Sequence, residues 1–286
     1  MLLRPFRRAS RGFTLIEITV VLVIIAIFLA MAAVMFRGVA AAQKRSITGT
    51  RMATVDAALV QFVQLNKRLP CPANGTIAWN GVNPGVEVIA AGVCTGNQAN
   101  GVVPWVTLGL TESDATDGWE RRLTYRVDED LVETGAMDMS WCDPAGTGAA
   151  AGATNELCNT ACTNSALGNC TSPVNFLTAG AGGKGLRVQS ITGTALMAPP
   201  NTGAAYVLIS HGESGGGGYL NTGVLFTSTT IDGTEEQLNY ANLVLRAYYV
   251  DDALTDLAGA SHFDDLVSRP SVLALAAKAG LGPRSH

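Results

Sequence analysis

Between Glu17 and Arg37 the chain runs from Ile18 to Phe36 without a charge, a stretch of 19 residues. As a helix rising 1.5 Å per residue, this run reaches roughly 28 Å, close to the hydrocarbon thickness of a bilayer. Past Arg37 the pattern changes, but no proline occurs before Asn66. Met52, Val55, Leu59 and Phe62 recur at three- and four-residue steps, which gives one apolar face suited to core packing. Gly38 and Gly49 are weak points where such a rod bends or loosens, and Pro70 and Pro72 end it. The pattern predicts one helix over 13–66, lipidic in its first half and amphipathic in its second.

From Leu69 onward the chain reads as strands and loops. Val102–Leu110 and Leu123–Val127 are expected strands, with Thr111–Gly118 as the polar connection between them. Ala204–Ser210 and Val224–Thr227 read as a strand pair around a glycine loop, and Leu243–Val250 has the strongest strand composition. Ala145–Gly152 and Ala179–Gly185 are Gly/Ala-rich loops. Ser271–Ala279 predicts a short helix, entered after Pro270 and stopped by Gly280. The expected fold is α+β: a long N-terminal helix packed on a largely antiparallel sheet, with disulfide-stapled loops. The expected divisions are a leader at 1–12, a helix at 13–66 and a globular head at 67–286.

Charge adds direction to this picture. Arg4, Arg7, Arg8 and Arg11 precede Phe13 with no acid among them, and without them the formal charge falls from −4 to −8. A basic leader on an acidic body marks a targeting element. The positive-inside rule keeps that leader cytoplasmic and sends the rest outward. An acidic body offers no general field for nucleic acid, and only 15% of residues are charged.

Glu17 breaks the apolar stretch that starts at Phe13. A lone carboxylate at mid-helix in hydrocarbon costs on the order of 2.5–3.5 kcal/mol, so it needs a partner or an interfacial position. Cleavage after Gly12 supplies a partner, the free α-amino group of Phe13. Such a buried pair between neighbouring subunits fixes register more than it adds stability. Arg11-Gly12-Phe13-Thr14-Leu15-Ile16-Glu17 resembles the cleavage and methylation signature of type IV prepilins and type II secretion pseudopilins. The resemblance implies that a prepilin peptidase cuts after Gly12 and N-methylates Phe13, and that Glu17 serves assembly with other pilin subunits.

Several downstream stretches resemble the head of prepilin-type proteins: Leu69-Pro70-Cys71-Pro72, Val103-Pro104-Trp105, Leu108-Gly109-Leu110, Asp117-Gly118-Trp119 with Tyr125, and Ser210-His211-Gly212. Two departures separate the chain from major pseudopilins. Glu120 follows Trp119 where those proteins usually have glycine, and Glu213-Ser214 with four glycines replaces their aspartate-rich calcium loop. The departures favour a minor subunit.

Six cysteines, Cys71, Cys94, Cys142, Cys158, Cys162 and Cys170, all lie on the outward side of the anchor, where disulfides are expected. Cys71 with Cys94 is the first expected pair, leaving the other four to pair among themselves. A four-thiolate zinc set of Cys142, Cys158, Cys162 and Cys170 is the alternative, without the paired C-x-x-C spacing of such sites. Gly212-Glu213-Ser214-Gly215-Gly216 fits a nucleophile-elbow pattern, but glycines follow where a helix is needed. Neither His211, His262 nor His286 lies upstream where a trypsin-like order needs its base. A glycine turn between strands is the expectation. Asp128-Glu129-Asp130, Asp251-Asp252 and Asp264-Asp265 read as solvated surface, with calcium as an option, and no chemistry falls to His262.

The expected function is therefore structural: a minor pilin or pseudopilin, single-pass in a bacterial inner membrane, with its head periplasmic or carried into a filament. No catalytic residue, metal or cofactor is expected, and nucleic acid is not an expected partner. Three alternatives remain open. One is a secreted adhesin-like domain released by signal peptidase near Ala30-Met31-Ala32. The second is a plain signal anchor, and the third a tethered hydrolase using Ser214.

Overall fold

The computed structural model describes residues 14–90, 92–139, 184–199, 202–227, 233–244, 246–255, 259 and 261–282, with the side chains of 32–37 and Asn97 excluded. The leader residues, Gly12, Phe13, Cys142, Cys158, Cys162, Cys170 and the Gly/Ala-rich stretch 145–152 lie outside the described residues. The chain divides into two units, Met1–Gln43 and Lys44–His286, and helix α1, Leu15–Asn66, runs through both.

In the first unit, α1 presents apolar side chains around its whole circumference. Leu15 is 84% exposed, Phe28 68% and Leu29 65%, and Ile18, Val21, Ile24 and Ile25 are exposed as well. The expected membrane run 18–36 reaches into 32–36, whose side chains are outside the description; among the described residues, no helix is long and apolar enough to cross a membrane.

The second unit is an α+β head. Its main sheet has five antiparallel strands: β1 (Ala73–Asn74), β4 (Gly101–Val102), β6 (Thr124–Val127), β9 (Tyr206–Ser210) and β12 (Leu266–Ser268), in that order. Both central strands, β6 and β9, are buried on both faces. Tyr125, Val127, Tyr206 and Leu208 share one core with Met52, Val55, Leu59 and Val63 of α1 and with helix α2, Val272–Lys278. Val207 and Ile209 alternate to the other face and pack on Val188, Met197 and Tyr249. These last come from a smaller sheet of β7 (Val188–Gln189), β8 (Ala195–Met197) and β11 (Tyr249–Val250). Among the described residues there are two further short pairs: β2 (Ile89–Ala90) with β3 (Val93–Cys94), and β5 (Arg121–Arg122) with β10 (Tyr219–Leu220).

Local chemistry explains the boundaries. α1 ends because Lys67 takes φ 55° and its N–H turns back to the Val63 carbonyl at 2.7 Å. The apolar face continues to Val63 rather than to the expected Phe62, which is half-buried beneath the Arg68 guanidinium at 5.1 Å. At α2, the Ser271 hydroxyl accepts the Ala274 N–H, and Gly280 leaves the helix at φ 71°. Cys71 and Cys94 are joined by a disulfide across 23 residues of sequence, a loop whose closure is worth roughly 3 kcal/mol by chain entropy.

Three strand expectations are corrected. Val102–Leu110 pairs only through Gly101–Val102, because Pro104 has no N–H to donate and the chain turns at Trp105–Gly109. Leu243–Val250 keeps only Tyr249–Val250 as strand, and the Leu243 carbonyl instead accepts from Arg126. Leu225 bridges Tyr219 rather than pairing with β9, whose neighbours are β6 and β12.

Short strands leave many loop carbonyls without ladder partners, and buried arginines supply the donors. Arg122 donates to the carbonyls of Gly75, Ile77 and Asn221 and pairs with Glu112 at 2.7 Å. Arg126 donates to the Gln98, Ala241 and Leu243 carbonyls. Arg121 donates to the Gly212 carbonyl and lies 3.5 Å from Asp117 Oδ2.

The Asp117–Glu120 turn fastens this network to the second half of α1. Asp117 Oδ1 accepts the Trp119 and Arg121 N–H groups at 2.8 and 2.9 Å, and the Ser210 hydroxyl donates to Oδ2. The Gly118 N–H donates to Thr48 Oγ1 at 2.9 Å, while Arg51 donates to the Asp117 carbonyl at 2.8 Å. A Cβ on Gly118 would sit 2.3 Å from the Lys44 carbonyl oxygen, so only glycine admits this approach. Next to it, exposed Glu120 holds φ 67°, a left-handed conformation that favours glycine. On the far side of the helix contact, Tyr206 and Ser268 both donate to the Asp56 carboxylate, at 2.8 and 2.9 Å.

Two substitutions two residues apart are therefore expected to act with opposite signs. Gly118→Ala lowers the stability of the head by about 1–3 kcal/mol through overpacking against α1. Glu120→Gly raises it by about 0.5–1 kcal/mol, the relief of left-handed strain less the entropy glycine loses. Denaturant midpoints of both variants against the parent chain measure the pair.

Candidate functional site

The start of α1 is built on a reciprocal hydrogen bond. The Glu17 N–H donates to Thr14 Oγ1 at 3.3 Å, and the Thr14 N–H donates back to Glu17 Oε2 at 3.4 Å. The Thr14 hydroxyl also reaches Glu17 Oε2 at 3.4 Å. This is a capping box, with Thr14 in the cap position and Glu17 three residues on. It satisfies amide groups that open a helix, and it places a carboxylate at the positive end of the helix dipole. Thr19 keeps its own hydroxyl satisfied on the Ile16 carbonyl at 2.8 Å. Glu17 is thus an exposed, locally anchored acid on a rod whose described neighbours are apolar. Its role in the cap was legible in the Thr-x-x-Glu spacing, which the reading of the motif as a processing signal left unused. Gly12 and Phe13 lie outside the described residues.

A second polar assembly sits at the end of β9. Glu236, at the start of a short 3-10 turn, meets His262 and Asp264 of the segment before β12, and the ligating atoms of the three lie within 4.8 Å of one another. Glu236 Oε1 accepts the Asp264 N–H at 2.9 Å, and Oε2 accepts the Gly233 N–H at 3.1 Å. His262 Nδ1 is 2.9 Å from Glu236 Oε2. The Ser214 N–H and hydroxyl both donate to the Asp264 carboxylate, at 2.6 and 2.9 Å. Gly212, at φ 53°, passes so close to Asp264 that a Cβ would clash with its backbone and carboxylate. Asp265 accepts from Asn239 at 2.8 Å and faces His211 Nδ1 at 3.6 Å. Burial first, and the Asp265 charge second, pushes the Glu236 carboxyl up to about 8. Burial raises Asp265 too.

This assembly corrects the surface reading of Asp264-Asp265, which are 3% and 2% exposed. They are buried because backbone amides, Ser214 and Asn239 hydrate them in place of water. His262, to which the sequence assigned nothing, belongs to the same group. The signal was diffuse: the partners are 26 and 28 positions apart, and no motif spacing links them. Asp128 instead caps a short turn by accepting the Asp130 N–H, and Asp251 pairs with Arg269 at 2.6 Å.

Ser214 lies in the loop joining β9 to β10. Its hydroxyl is a donor to a carboxylate, while His211 Nε2 sits 2.8 Å from Thr124 Oγ1, away from the serine. A general base has to accept the nucleophile's proton, and a carboxylate held by two Ser214 donors orients the hydroxyl without an imidazole beside it. The expected outcome with a serine-reactive phosphonate is no labelling of Ser214 in the folded chain, checked by peptide mass spectrometry. Labelling there would revive the hydrolase alternative.

No curated protein and no solved structure matches the chain. The family model described as the prokaryotic N-terminal methylation motif matches residues 7–33, which include Arg11 to Glu17 and the opening turns of α1. Residues 7–33 are a type IV prepilin/pseudopilin-type signal, the mark of a type IV pilin-like precursor.

Proposed function

We propose that the chain is a minor structural subunit of a type IV pilus or type II secretion-like filament. Prepilin peptidase cuts it between Gly12 and Phe13 and methylates Phe13, and the mature chain joins other pilin subunits through the first half of α1. The observation that carries this reading is the methylation motif at 7–33, set on the first half of α1, where, beyond Glu17 and Thr19, the described side chains up to Met31 are apolar and exposed. Such a helix needs lipid or neighbouring helices as its surroundings. The precursor rests in the inner membrane with its basic leader cytoplasmic, and the α+β head faces the periplasm or exterior. There it serves initiation, tip or cargo contacts. The departures at Glu120 and at Glu213-Ser214 support a minor rather than a main subunit.

Sequencing the N-terminus of the mature protein is the direct test. Methylated Phe13 as first residue supports the proposal. A start near Ala33, or a retained arginine leader, overturns it.

The capping box allows the register role of Glu17 to be separated from its role in the helix. Glu17→Gln keeps an oxygen for the Thr14 N–H but removes the charge. Thr14→Val removes the hydroxyl cap and keeps the charge, at a local cost of about 1 kcal/mol. If a neighbour's amine sets register through Glu17, the Gln variant incorporates poorly and the Val variant nearly normally, both scored on correctly cut protein in a filament assay. Equal incorporation of wild type and the Gln variant rules the ionic register out.

A further inference from the structure

We propose that Glu236, His262 and Asp264 form a three-ligand site in the head for a divalent transition-metal ion of the Zn²⁺ class. The site stands apart from the processing segment and does not depend on the filament reading.

The donor set is one imidazole nitrogen and two carboxylates, with all ligand atoms within 4.8 Å of one another. Zn²⁺ binds such nitrogen and oxygen donors at about 2.0–2.2 Å in tetrahedral sites, which places ligand atoms roughly 3.3–3.5 Å apart. His262 Nδ1 and Glu236 Oε2, at 2.9 Å, are already near that spacing. Their present hydrogen bond is what an ion would replace: the His262 Nδ1 lone pair and the Glu236 oxygen turn to the metal, and the proton between them leaves to solvent.

Supporting donors hold the carboxylates from outside the site. The Gly233 and Asp264 N–H groups fix both Glu236 oxygens, and Ser214 fixes Asp264 through its N–H and hydroxyl. Each carboxylate oxygen retains a lone pair for an ion, the arrangement that orients metal ligands elsewhere. Gly212 lets the loop close on Asp264 at a distance no side chain tolerates.

The cluster also carries negative charge in excess of its cations. Among the described residues, no Lys or Arg pairs with Glu236, Asp264 or Asp265; their basic neighbours are His262 and His211. His211 is 99% buried, and its Nδ1 faces the Asp265 carboxylate without a hydrogen-bond partner. A divalent ion placed among these carboxylates offsets their mutual repulsion. The ligands are two-thirds oxygen, but the imidazole selects against Ca²⁺ and Mg²⁺, which take all-oxygen shells. His262 retains 16% side-chain exposure, which leaves a path for the ion and a position for water.

The test is titration of Zn²⁺ into the full chain in detergent after removal of metal by chelation, read by calorimetry and by thermal melting. His262→Gln is the main variant, because its side chain is at the rim. Glu236→Gln, nearly isosteric, is the second. The expected result is a saturable site in wild type with a raised melting temperature, and at least about tenfold weaker binding in either variant. Cys142, Cys158, Cys162 and Cys170 are intact in all three proteins, so Zn²⁺ held by thiolates gives the same affinity in each. Equal affinities, no saturable binding by wild type, or Ca²⁺ displacing Zn²⁺ at equal concentration would each overturn the proposal.

Discussion

A helix that is apolar on every side has no stable place in water. That constraint governs α1 and, through it, the whole chain. Its second half resolves the problem by ordinary means: Met52, Val55, Leu59 and Val63 are buried, and polar residues such as Thr50, Gln61, Gln64 and Asn66 lie on the exposed side. Its first half offers no such face, since Leu15, Phe28 and Leu29 point in different directions and all are exposed. Only lipid or like helices can cover it, and the capping box at Thr14 and Glu17 sets a single acid at its opening turn.

The head meets a different constraint. Most of its strands are two residues long, too short for ladders to satisfy the loops between them. Guanidinium groups do it instead, and Arg121, Arg122 and Arg126 each reach a carbonyl that lies far away in sequence. An arginine is suited to this because its planar fork carries five donors and loses little freedom for each bond made. The cost of burying these charges is met by the density of acceptors around them and by Glu112 and Asp117.

The parts legible in the sequence are those with a strong period or a local stop signal. The described helix, Leu15–Asn66, showed in its lack of proline and its apolar steps, and α2 in Pro270, Ser271 and Gly280. β6 and β9 showed as apolar runs because they are buried on both faces, which removes the alternation but concentrates hydrophobicity. Leu243–Val250 misled for the converse reason: β-branched and aromatic composition states what fits a strand, not whether a partner edge is there. The Glu236–His262–Asp264 group was hidden because burial of acids depends on backbone amides supplied by folding, which leave no trace in residue type. Glu120 was legible only as a departure from a resemblance. Its physical meaning, a side chain where the backbone is left-handed, needed the dihedral angle.

The sheet margins have a consequence for self-association. Its two outer strands, Ala73–Asn74 and Leu266–Ser268, have two and three residues, and Pro270 stands two positions beyond the second. Ser268 spends its hydroxyl on Asp56 of the helix. Margins this brief give an incoming strand almost no unpaired backbone to zip onto, so crowding many copies together does not invite amyloid-like stacking. Contacts between copies are thereby steered to surfaces other than the rims of the main sheet.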